Sequence, residues 1–145
     1  MTEQQREAVA ISLVQLAATA VLAFNLAMNF IHSLIWIRAW KIVVVNTKIS
    51  PIATGPQWGK FVAARSAVEV FVNPIALPLA AATTLFLLVP YKEFVEGLEK
   101  RLPLKRRFPV MNRVLALLTS CLSVNIGAIG IFTSAFLFAI NKIYI

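Results

Sequence analysis

Aspartate is absent from the 145 residues, and histidine and cysteine each occur once, as His32 and Cys121. A lone cysteine rules out a disulfide framework within the chain. One histidine and one cysteine far apart cannot by themselves build a usual zinc, haem or iron–sulfur site. Charge is sparse too: 14% of residues are Asp, Glu, Lys or Arg, against about 25% in ordinary soluble domains. Glu3, Glu7, Glu69, Glu93, Glu96 and Glu99 all fall in loops or near the ends of apolar runs. None stands in the middle of such a run, where a proton relay would want one. Ser120, Ser123 and Ser134 have no base within reach along their own helix, and no glycine-rich phosphate loop follows a strand pattern. These absences argue against an enzyme, so no catalytic residue, metal or resident cofactor is expected.

What is present is apolar. Hydrophobic residues make up 59% of the chain and the mean hydropathy is +0.80. Residues 8–37, 70–89 and 114–141 contain no Asp, Glu, Lys or Arg. About 20 helical residues cross a hydrocarbon core of roughly 30 Å, so each run is long enough to span. Between the second and third runs lies a basic elbow, residues 91–113, with seven Lys/Arg against three Glu. A charge at the bilayer centre costs roughly 2.5–3.5 kcal/mol. Seven cations cannot be submerged, so the elbow belongs in water or among headgroups. The expectation is an all-α integral membrane protein forming a single membrane domain over 1–145. Its three transmembrane helices cover about 8–37, 70–90 and 114–141.

The elbow predicts a fourth helix. Pro90 suits a first helical turn, and Tyr91, Phe94, Val95, Leu98 and Leu102 follow at spacings that make one apolar face. An amphipathic helix lying on the membrane surface is expected there, followed by a basic turn. Lys100, Arg101, Lys105, Arg106, Arg107 and Arg113 become candidates for anionic lipid headgroups or an acidic partner. A bound phospholipid, cardiolipin included, is a plausible companion. Nucleic acid is a poor partner, because the basic residues are tied to the ends of apolar spans. Charge counts leave the topology open: the amino end and elbow carry eight Lys/Arg, the first loop and carboxyl tail six.

Each span has its own pattern. The first carries a polar stripe, Gln15, Thr19, Asn25, Asn29 and His32 with Ser12 and Ser33, that should face other helices or a wet cavity. Trp36, Arg38 and Trp40 after it resemble an interfacial belt. Residues 38–69 read as irregular, with a β-branched run at 42–45 and breaks at Ser50-Pro51 and Gly55-Pro56. Arg65 and Glu69, four apart, can pair at the mouth of the second span. In that span Pro74 and Pro78 remove two ladder hydrogen bonds and predict a kink, with Asn73 beside it. The third span carries Ala116, Ser120, Ser123, Gly127, Gly130 and Ser134 at steps of 4, 3, 4, 3 and 4, a seam along which another backbone can approach closely. Phe132, Phe136 and Leu137 stand opposite, suited to lipid or partner grooves. The first seven residues, MTEQQRE, match neither a Lys/Arg-led secretory signal nor an Arg-rich, acid-poor transit peptide.

Leu98-Glu99-Lys100, then Leu104-Lys105-Arg106 and Phe108-Pro109, resemble stretches of the sideroflexin family that precede its last membrane span. Arg65 with Pro74 and Pro78, and Asn25 with Asn29, are looser echoes of the same C-terminal half. The family's amino-terminal half, with its HPDTG-type motif, has no counterpart here. The resemblance implies a mitochondrial inner-membrane location and, for the full family, transport of small amino acids such as serine. A shortened relative kept as a scaffold is the leading expectation: a non-catalytic accessory subunit among other integral membrane subunits and lipids, as in a respiratory or ATP-synthase complex. The alternative is a carrier of small neutral amino acids working as an oligomer.

Overall fold

The structure, a computed structural model, describes residues 2–102 and 107–143. Among these residues there are three α-helices and no strand: α1 (Glu3–Thr47), α2 (Gly55–Glu99) and α3 (Pro109–Ile143). All three are long and apolar enough to cross a membrane. At 1.5 Å per residue the 45-residue helices α1 and α2 run about 68 Å, more than twice the thickness of a hydrocarbon core. The apolar stretch of each therefore fills only part of its length.

The helix ends follow local chemistry. Thr2 and Gln5 form a reciprocal capping box at the start of α1: the Gln5 N–H donates to Thr2 Oγ1 at 3.2 Å and the Thr2 N–H to Gln5 Oε1 at 2.9 Å. Lys48 ends α1 in the left-handed region, with φ 60°, and its N–H donates to the Val44 carbonyl at 2.8 Å. Thr54 Oγ1 accepts the Gln57 N–H at 3.2 Å and so caps α2. Pro109 occupies the first turn of α3, where its missing N–H leaves nothing unpaired.

Two expectations need correction. Among the described residues no separate interfacial helix is present, because residues 91–99 are the last turns of α2. Pro90 removes one hydrogen bond from the ladder, and packing outweighs that loss. Tyr91 and Val95 are buried, with Leu98 and Leu102 packed on the same cluster, so most of the face assigned to lipid is spent on protein. Phe94 alone of that set is well exposed. The irregular segment is also shorter than expected. Helix α1 continues through the β-branched run to Thr47 and α2 begins at Gly55, leaving residues 48–54 as the loop. Val43 and Val44 are core residues, and their burial offsets the modest helix penalty of β-branched side chains. Helix α2 also runs on through Pro74 and Pro78.

The chain divides into two compact units, and each helix supplies a stretch to both. One comprises Met1–Leu26 and Ala80–Gly127, the other Ala27–Leu79 and Ala128–Ile145. The core of the first is Leu22, Tyr91, Val95, Ala116 and Leu117, flanked by Val14, Ala18 and Leu87. On α1 and α2 these residues recur every four positions, the stripe a helix buries. The second unit is built around four aromatic rings, Trp36 and Trp40 of α1, Phe61 of α2 and Phe136 of α3. Each tryptophan meets each phenylalanine edge-on, with centroids 5.4–5.9 Å apart, the arrangement aromatic quadrupoles favour.

Candidate functional sites

In the first unit, three helices converge on Arg113. Its guanidinium is buried, with the Nε–H donating to Glu99 Oε2 and an Nη1–H donating to Gln15 Oε1 at 3.2 Å. Glu96, much more exposed, lies 3.9 Å from Nη2. The network continues along α1: Gln15 Nε2 donates to Thr19 Oγ1 at 3.3 Å, and the Thr19 hydroxyl to the Gln15 carbonyl at 2.7 Å. Beside it Asn112 Nδ2 donates to the Glu99 carbonyl at 3.1 Å, closing the end of α2. A second polar knot holds Tyr91, whose hydroxyl lies 2.8 Å from Ser120 Oγ and 3.0 Å from Cys121 Sγ. The Ser120 hydroxyl donates to the Leu117 carbonyl at 3.0 Å, which leaves its lone pairs to accept from Tyr91. A buried guanidinium is costly unless paired and hydrogen-bonded, and these partners satisfy it. The arrangement fixes the helices in register.

The second unit holds a cavity of about 500 Å³ with walls from all three helices. Helix α1 contributes Asn29, His32, Ser33 and Trp36, four residues at the spacing of one face. Helix α2 contributes Arg65, and α3 contributes Ile129, Phe132, Thr133, Phe136 and Leu137. Arg65 carries the only formal charge among these lining residues. Its Nε is buried with no hydrogen-bond partner among the described residues, and no ion pair joins it to Glu69. The Ser33 hydroxyl is satisfied by the Asn29 carbonyl at 2.8 Å.

The residues singled out from the sequence are thus divided. Of the polar stripe, Gln15, Thr19 and Asn25 belong to the first unit, while Asn29 and His32 line the cavity of the second. Of the small-residue seam, Ala116 and Ser120 are buried, whereas Ser123, Gly127, Gly130 and Ser134 are exposed. A methyl group placed at Gly127 or Gly130 would meet nothing within 4 Å. Asn73, Pro74 and Pro78 are exposed on α2. Lys100, Arg101 and Arg107 are exposed, Lys105 and Arg106 lie outside the described residues, and Arg113 is buried on Glu99. Phe136 packs on the two tryptophans, and with Phe132 and Leu137 it lines the cavity. Asn112, Thr133 and the Tyr91–Ser120 pair escaped sequence reasoning. Among the described residues no three His, Cys, Asp or Glu side chains gather as a metal ion would require.

Compared with protein-family models, with curated proteins and with solved structures, the chain matches none. Fold and composition therefore define its class. It is a three-helix protein with the make-up of a membrane protein.

Proposed function

We propose that the chain is a non-catalytic, membrane-spanning accessory subunit of a larger assembly. On the sideroflexin-like stretches, its place is the mitochondrial inner membrane, in a complex such as a respiratory or ATP-synthase assembly. The observation that carries this reading is the second half of the α3 seam. Ser123, Gly127, Gly130 and Ser134 lie exposed on a helix whose earlier small residues, Ala116 and Ser120, are already packed. Lipid tails gain nothing from so smooth a strip, whereas a partner helix gains close backbone contact. Large apolar side chains outside the core, such as Phe71, Leu77 and Phe86 at 73–81% exposure, would meet acyl chains or neighbouring subunits.

The test is extraction in mild detergent followed by native separation. The wild-type chain should co-migrate with partner subunits. Gly130→Leu should release it, while leaving the isolated chain folded because nothing stands within 4 Å of the new side chain's Cβ. A wild-type chain migrating alone at 16.0 kDa plus its micelle would overturn the reading.

A further inference from the structure

We propose that the Arg65 cavity is a binding site for an acidic phospholipid, whose phosphate seats on Arg65 and His32 while its acyl chain lies along α3. A guanidinium stays protonated under all relevant conditions, and burying one without a counter-charge is strongly unfavourable. Arg113, in the other unit, shows how this protein satisfies such a group: a carboxylate and an amide oxygen face it. Arg65 has neither. Arg65 as a whole is half-buried, but its Nε is buried with no partner among the described residues, and no Asp or Glu lines its cavity. The missing acceptor is an anion, and the planar fork of a guanidinium matches the oxygens of a phosphate.

The rest of the lining specifies what the anion is attached to. Polar groups are concentrated on the α1 and α2 walls, where Asn29 and His32 accompany Arg65. The α3 wall is apolar apart from Thr133, with Phe132 and Leu137 among its residues. A small inorganic anion would use the first wall and leave the second uncovered. A molecule with a charged head and a hydrocarbon tail uses both. The volume, about 500 Å³, falls in the range of small-molecule sites and accommodates a headgroup with the start of a chain. The exposed cations Lys100 and Arg101 belong to the other unit.

The experiment is native mass spectrometry of the full chain released from vesicles of equal phosphatidylcholine and phosphatidylglycerol. The wild-type chain should retain phosphatidylglycerol in preference to phosphatidylcholine. Arg65→Gln should lower that retention roughly tenfold, the effect of one lost charge-assisted contact. Lys60→Gln, which removes an exposed cation of the same helix, should leave it unchanged. Should Arg65→Gln fail to fold, His32→Gln carries the test and should lower retention severalfold. Wild-type retention in the folded variants, or an equal loss with Lys60→Gln, overturns the site. Inorganic phosphate added to the vesicles distinguishes a free-anion site. If it displaces phosphatidylglycerol at millimolar concentration, the lipid assignment falls.

Discussion

Removing the Arg113 guanidinium tests how the first unit is held together, and the exposures of its two acidic neighbours set the scale. The Arg113 side chain is 8% exposed and that of Glu99 14%, whereas Glu96 is 44% exposed and 3.9 Å away. Arg113→Met keeps the stem's packing but leaves Glu99 largely buried without its counter-charge and Gln15 Oε1 without its donor. Breaking a buried pair from one side costs about 3–5 kcal/mol. Glu96→Gln disturbs an exposed, water-screened contact and should cost less than about 1 kcal/mol. The double variant Glu99→Gln with Arg113→Met should be less damaged than the two single losses added together, by roughly 1–3 kcal/mol. Cys121 supplies the assay. It is the chain's single thiol, half-buried against Tyr91 in the same unit, so its reactivity toward a maleimide during denaturant titration in detergent reports unfolding there. If Arg113→Met shifts stability by less than about 0.5 kcal/mol, below the usual cost of even one lost hydrogen bond, the reasoning fails. It fails equally if Glu96→Gln costs as much as Glu99→Gln.

Two further outcomes are expected from the same denaturation measurements. Phe61, 1% exposed and in edge contact with Trp36 and Trp40, should cost about 3–5 kcal/mol when changed to Ala, with the tryptophan emission of the second unit altered. Lys48→Gly relieves a side chain at φ 60° and should stabilise the chain by about 0.5–1 kcal/mol, read as a raised unfolding midpoint.

The three apolar runs were legible because lipid imposes a rule that any short window reveals: no charge for some twenty residues. The helix ends were not, because residues outside the hydrocarbon zone lose that signature while the helix continues. Arg38 and Lys41 sit within α1, and Lys92 and Glu93 within α2. Their exposed positions let charge persist on a helix whose opposite face is packed. Neighbours in sequence misled where a distant partner was stronger. Arg65 and Glu69 stand one turn apart in the weaker order for pairing, and Arg65 lines the same cavity as His32 instead. Arg113 read as a surface cation because Gln15, its acceptor, is 98 residues away. No local pattern carries a contact of that span. The small-residue seam was visible as spacing, but which half of it a neighbour within the chain already occupies depends on tertiary packing.

The four-ring cluster bears on how the chain is assembled. A polypeptide released into the bilayer helix by helix presents Trp36, Trp40 and Phe61 as soon as the α1–α2 hairpin is in place, whereas Phe136 arrives with α3. Until then each indole lacks the Phe136 ring edge on one flank. With Trp58, which also packs on Phe61, replaced by Phe, the emission of those two tryptophans would mark the moment at which the last helix docks.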